Sequence, residues 1–307
     1  MKRIIPSIVL TLLLIYLLLF PKQMAADTAF GLLLWYKNVV PTLLPFCIIS
    51  YIIIQSNLYH TIFRQILSLL PGKRVIRPET LYPICLGFVC GFPIGSKLTA
   101  DMYALGHLNA KEATKLCAIS NQFGPAFVVN YIAASQLKDS RFAPILLLSI
   151  YLPPLICGAV WMSRRDKSAS LRKIPASRSQ INFKIIDAGI MNGFETMLRV
   201  AGYIVVFSIL SGAVESLPVD IPAGKALISG ILEITTGTQN IAASDMSQAW
   251  KLPLICAIVS FGGFCGLFQT NAIMKGAEFK RKQYITFKLI CTAVSFIAAK
   301  ILYQLFF

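Results

Sequence analysis

Four polar clusters interrupt a chain that is otherwise strongly apolar, and their residue types suit recognition of a small polar solute. Lys97 stands in LGFVCGFPIGSKLTADM, two residues past Gly91-Phe92-Pro93-Ile94-Gly95. Glu233 lies between Leu232 and Ile234, just ahead of Thr235, Thr236, Gly237 and Thr238. Asn121 and Gln122 precede Phe123-Gly124-Pro125, and Gln269 and Asn271 follow Gly262, Gly263 and Gly266. A lysine at the centre of a bilayer costs about 2.5–3.5 kcal/mol on insertion scales, so Lys97 needs a partner. Two readings stand beside each other: Lys97 faces an anionic substrate, or it snorkels or pairs with Asp101 at i+4. Glu233 could titrate with a coupling proton, coordinate a cation, bond a substrate donor, or partner a buried base. Pro125 lacks an N–H and thereby frees the carbonyl of Asn121 four residues earlier. With the hydroxyls of Ser96, Thr235 and Thr236, these amides and charges make the polar inventory of a substrate site at the membrane midplane. Glu195 and Arg199, acid first at i,i+4, are expected to neutralise each other as a structural ion pair of the scaffold.

The elements that must position these groups are membrane helices. With 56% hydrophobic residues, a mean hydropathy of +0.68 and segments near the roughly 20 residues needed to cross a bilayer, the chain reads as an all-α polytopic membrane protein. Its net charge of +16 does not point to nucleic acid, because the basic residues fall in short loops between apolar segments. The eight cysteines sit in apolar segments without CxxC spacing, and His60 and His107 lack acidic or cysteine neighbours, so no metal site is expected. Without a histidine cluster, metal pair or nucleophile motif in the apolar segments, the chain does not read as an enzyme. No cofactor is expected, a coupling proton or sodium ion being left open; the partners are the lipid bilayer and a small-molecule anion, with a homo-oligomer compatible.

The same unit is written twice. Gly31 to Ile53 answers to Gly189 to Ser211, LGFVCGFPIGSK at 86–97 to SGILEITTGTQN at 229–240, and Cys117-Ala118-Ile119 with Gly124 to Cys256-Ala257-Ile258 with Gly263. Apolar helices at 142–163 and 284–306 close the copies. This divides the chain into a signal peptide or signal-anchor at 1–27, a first repeat at 28–163, a basic loop at 164–184 and a second repeat at 185–307. If the glycine-broken segments at 82–105 and 225–243 are re-entrant hairpins, the inner loops carry 19 Lys and Arg and the outer ones five (Lys22, Lys138, Arg141, Lys225, Lys251). That is the asymmetry of the positive-inside rule, and it puts Arg164, Arg165, Lys167, Arg172, Lys173, Arg178 and Lys184 in the cytoplasm. The expected fold is a pair of inverted repeats, each with a re-entrant helical hairpin and a broken transmembrane helix. Gly91, Pro93 and Gly95 are expected at the first hairpin tip, where Ser96 would cap the returning arm, and Gly237 at the second.

CGFPIGSKLTADMYALGHL followed by SNQFGPAF resembles the YlbJ family of sporulation integral membrane proteins. That family is related to stage V sporulation membrane transporters and to proteins with the nucleoside-recognition Gate domain. The similarity rests on Gly91, Phe92, Pro93, Gly95, Lys97, Asp101 and Tyr103, then Asn121, Gly124 and Pro125, and in the second half on ILEITTG at 231–237 and SFGGFCGLFQT at 260–270. Phe92 departs from the tyrosine common there. The resemblance implies a transporter of spore-forming bacteria that passes dipicolinate, a small aromatic dianion, into the forespore, in its outer membrane. Its implied architecture is distantly similar to that of concentrative nucleoside transporters. A nucleoside carrier and a non-transporting scaffold of a sporulation complex are the alternatives.

Overall fold

The computed structural model describes residues 4–68, 77–163, 181–218 and 222–307, and every regular element among them is helical. Helix α1 (Ile4–Leu19) precedes a 35-residue apolar rod made of α2 (Pro21–Leu34), a π-helical stretch at Trp35–Val39 and α3 (Val40–Gln55). Pro21 takes a first-turn position, where its fixed φ and missing N–H suit a helix start. The rod therefore begins ten residues before Gly31, where the apolar run that marks it in the sequence starts.

Helix α4 (Leu58–Ser68) lies in what reads as a loop. It is amphipathic, and it buries Tyr59 and Phe63 against Tyr82. The first glycine-broken segment is a helical hairpin whose arms, α5 (Pro78–Cys90) and α6 (Ile94–Ala104), pack on each other and on α7 (Ala110–Ser120). At 13 and 11 residues the arms are roughly 20 and 16 Å long. Neither can cross a hydrocarbon core of roughly 30 Å. Helix α7 opens with a capping box, Asn109 accepting from Lys111 and Glu112 N–H while Glu112 returns to the Asn109 N–H. It breaks after Ser120 and resumes as a π-helical stretch at Phe127–Gln136, followed by α8 (Ala143–Ser163).

The second half runs through the same order of parts. A 33-residue helix α9 (Phe183–Glu215) leads to a hairpin of α10 (Pro222–Leu232) and α11 (Ile234–Ala243), then to a broken helix, α12 (Gln248–Phe261) and α13 (Gly263–Ile273), and to α14 (Arg281–Phe306). The break in the second broken helix is made by Gly262 and Gly263, both left-handed at φ 88° and 64°, a conformation that residues with a Cβ rarely hold. Among the described residues, five helical stretches are long and apolar enough to cross a membrane. Large apolar side chains such as Leu152, Ile156 and Val160 on α8 and Leu289, Ile297 and Ile301 on α14 point outward, as a lipid-facing surface requires. The protein is a polytopic all-α membrane protein. The basic loop expected at 164–184 falls, up to residue 180, outside the described residues.

Candidate functional site

Both hairpin turns and both helix breaks converge on one cavity of about 480 Å³. The first hairpin supplies Cys90, Phe92 and Pro93, and the second supplies Glu233, Ile234 and Thr235. The first broken helix contributes Phe123 to Tyr131, and the second Gly262, Cys265, Gly266 and Gln269. Backbone contacts bring each turn onto the break of its own half. Gly91, at φ 87°, abuts the backbone of Gly124, so closely that a Cβ on Gly91 would collide with it. In the second half the carbonyls of Ile231 and Leu232 lie against Gly263. The halves also cross over, the Phe92 ring packing on Gly266.

One wall of the cavity is an aromatic ladder. Ring centroids step from Phe92 to Phe123 at 5.3 Å, to Phe127 at 5.3 Å and to Tyr131 at 5.0 Å. The Tyr131 hydroxyl donates to the Thr235 carbonyl at 3.1 Å, tying the ladder to the second hairpin. The polar lining is sparse: Lys37, Asn38, Asn130, Thr235 and Gln269 among others. Lys37 lies on the π-helical stretch of the first rod, which Trp35 anchors through its indole N–H to the Met197 carbonyl of α9 at 2.9 Å. Single π-turns of this kind re-aim side chains inside helices and are frequent at functional sites. The buried Oε1 of Gln269 has no protein partner, while its Nε2 donates to Cys265 Sγ.

Only part of the expected site residues reaches the cavity. Glu233, Thr235 and Gln269 line the cavity; Ser96, Lys97, Asn121, Gln122, Thr236 and Asn271 do not. The turn of the second hairpin falls at Glu233 rather than at Gly237. Gly237 instead lies within α11, where its Cα meets the backbone of Gly230 on the opposite arm. Glu233 is the N-cap of α11, its carboxylate accepting the N–H groups of Thr235 at 3.0 Å and Thr236 at 2.8 Å and the Thr236 hydroxyl at 3.0 Å. Thr235 and Thr236 are thus capped by Glu233. Gly95, expected at the first tip, likewise lies in α6 against the backbone of Ser120 and Asn121.

Lys97 is buried and paired with Asp101, with its Nζ 5.6 Å from the Tyr51 ring centre. It therefore offers no charge to the cavity, and the i+4 partner accounts for it. Ser96 does not cap α6, because its hydroxyl donates to the Pro93 carbonyl at 2.8 Å. The Asn121 side chain does so from α7's end, Oδ1 accepting the Ser96 N–H at 3.3 Å. Its Nδ2 donates to Thr270 Oγ1 at 2.8 Å and to the Tyr284 hydroxyl at 3.3 Å. The carbonyl of Asn121 that Pro125 leaves free accepts from Lys288 Nζ at 3.3 Å, and the same ammonium donates to Gln122 Oε1 at 3.0 Å. Asn121 and Gln122 are therefore a buried hub binding the first hairpin and first break to α13 and α14.

Lys288 and Lys37 were not singled out from the sequence, although the argument applied to Lys97, a lone base in an apolar run, applies to both. The ladder of Phe123, Phe127 and Tyr131 also escaped, because aromatic residues at helical spacing are ordinary in lipid-facing helices. Glu195 and Arg199 do pair, at 2.6 Å, but on the outer face of α9 rather than inside the scaffold. The structure describes no group of three or more His, Cys, Asp and Glu side chains that could hold a metal, among the described residues. His107 is engaged with the Tyr59 hydroxyl, 2.7 Å from its Nδ1.

No family model and no solved structure matches the chain. It is similar to the sporulation integral membrane protein YlbJ of Bacillus subtilis (strain 168), with 23% identity over 302 residues, covering 85% of this chain and 72% of that protein. The YlbJ-like character expected from the hairpin and broken-helix motifs is borne out.

Proposed function

We propose that the chain is a membrane transporter of a small anionic solute, with dipicolinate as the best match. The observation that carries this reading is the meeting of both hairpin turns and both helix breaks at a single cavity. Short arms and broken helices are tolerated at membrane depth where they line such a space, and they can shift as units to open it to either side. The ladder from Phe92 to Tyr131 offers faces on which a planar ring can stack. Lys37 supplies positive charge at the lining and makes no hydrogen bond or ion pair among the described residues. The acid in the lining, Glu233, has its oxygens turned to the α11 N-terminus. The free Oε1 of Gln269 is an acceptor for a donor on the solute or for water.

The two repeats lie inverted, with the loop 164–184 on the cytoplasmic side. In sporulating cells the outer forespore membrane is the expected location, from the resemblance to YlbJ and the sporulation role printed in that relative's name.

Uptake into proteoliposomes tests the reading. Dipicolinate should accumulate saturably, and Lys37→Gln should reduce uptake at low substrate by about tenfold, the loss of one charge-assisted bond of about 1.4 kcal/mol. Accumulation of uridine in place of dipicolinate would make the chain a nucleoside carrier. Uptake of neither, under proton and sodium gradients alike, would leave a non-transporting scaffold.

A further inference from the structure

Helix α9 carries an ion pair where lipid should be. Glu195 and Arg199 are 62% and 53% exposed, although they lie inside a helix that qualifies as a membrane span. Between Asp187 and Glu215 the helix has no other charge, and Arg199 lies about 18 Å from the first of these limits and about 24 Å from the second. Hydrocarbon offers a pair at that depth no hydrogen bonds, and a charged residue near a span's centre costs several kcal/mol unless polar groups meet it. The same face carries Met191, Phe194, Leu198 and Val206, all exposed. Gly202 lies one turn past Leu198 and Arg199, with open space where a Cβ would point. None of the described helices covers this face.

We propose that this face of α9 is a contact between copies of this chain. All copies share one membrane orientation, so two α9 helices that meet run in parallel. Glu195 of one protomer then stands within a turn of Arg199 of the other, and the reverse holds across the contact. The i,i+4 pair is thus self-complementary, and each charge gains a second partner in a medium where ion pairs are strong. Gly202 lets the backbones approach, as small residues do in membrane helix pairs. A different protein would need a matching acid and base in the same register, whereas a second copy has them by construction.

A photo-crosslinking amino acid at Leu198, in the full-length chain in native membranes, reads the contact directly. The expected product has twice the mass of the chain. Glu195→Arg or Arg199→Glu alone sets like charges face to face and should lower crosslinking about tenfold, while the double exchange should restore it to within about twofold. Both side chains are exposed, so these variants should retain the melting temperature of the parent protein. If one does not, Glu195→Gln with Arg199→Gln is read instead, and an unchanged crosslink there overturns the proposal. It is equally overturned by a product of any other mass, by no product at all, or by a double exchange that does not restore. The assay involves no solute, so failure of the transport reading would leave it untouched.

Discussion

The two hairpins have the same arm lengths within two residues and turn beside the same cavity, yet their returning arms are held by different means. The second carries its own cap: Glu233 lies at its turn and bonds the first N–H groups of α11. The first has a proline at that position and takes its bond from Asn121 of the neighbouring broken helix. The second hairpin is instead fastened along its arms, where Glu215 at the end of α9 accepts from Ser229 at 2.8 Å and Asn240 at 2.7 Å, and at its base, where Lys225 donates to the Glu215 and Leu217 carbonyls. A tip whose N–H is capped by another helix moves only with that helix. The second tip is tied to the first broken helix by the Tyr131 hydroxyl on the Thr235 carbonyl, and releasing that bond lets the self-capped tip swing without leaving a buried N–H unpaired. The physical difference assigns any hinged opening to the second hairpin and a fixed wall to the first.

The strongest way to break this contrast is to disturb the first tip. Gly91→Ala requires a residue with a Cβ to hold φ 87°, ψ −176°, and drives that Cβ into the Gly124 backbone. Backbone strain of about 1–3 kcal/mol and overpacking of similar size should combine in a large drop in melting temperature, or in failure to accumulate in the membrane. A protein that folds and melts normally would show that the tip is not clamped on the break.

Asn121→Ala should come next. It leaves the Ser96 N–H and the hydroxyls of Thr270 and Tyr284 without their amide partner, at about 1–3 kcal/mol for each buried group left unsatisfied. The loss is expected to loosen the two halves together, so protection from limited proteolysis should fall in both. Glu233→Ala should cost less, about 1–2 kcal/mol for a lost N-cap, and Glu233→Gln less again because an acceptor oxygen remains. Its damage should stay within α10 and α11. If Glu233→Ala loosened the first half as much as Asn121→Ala does, the assignment of one shared and one private cap would be wrong.

Much of this arrangement was legible in the residues. Gly91-Phe92-Pro93 ends one helix and starts another because glycine permits the turn and proline suits a helix beginning, and those are local properties. Pro125 marks Asn121 by removing a donor four residues on, and the structure has the freed carbonyl engaged by Lys288. Which basic group would take it was not legible, since Lys288 lies 167 positions away and only packing brings it there. The same holds for Lys97: the sequence leaves open a substrate, snorkelling or Asp101, and the direction of the α6 face decides for Asp101. Gly237 was misplaced as a tip because a glycine between threonines marks a turn and a close helix contact alike. The gap between the arms, where it meets Gly230, separates the two.

The smallest effect concerns the bases of the hairpins. Where the base of the second is fastened by Lys225 on the Glu215 and Leu217 carbonyls, the first is followed by a turn in which His107 meets the Tyr59 hydroxyl of α4. Burial holds the His107 pKa below its usual value, with the nearby Glu79 acting in the opposite sense and His60 in the same sense. A group whose pKa is lowered by folding binds more protons in the unfolded chain, so its contribution is complete above the ordinary histidine range near 6.5 and is lost as pH falls toward the folded value. Melting temperature in detergent should therefore decline slightly between pH 7 and pH 5, and His107→Gln should flatten that decline while lowering stability at pH 7 by less than Asn121→Ala does. Labelling of a cysteine placed at Ile234 should not follow pH across this range, because the second hairpin's base has no histidine in its bonds. If labelling there tracked the same pH change, the two bases would be coupled, and the hinge could not be assigned to one of them.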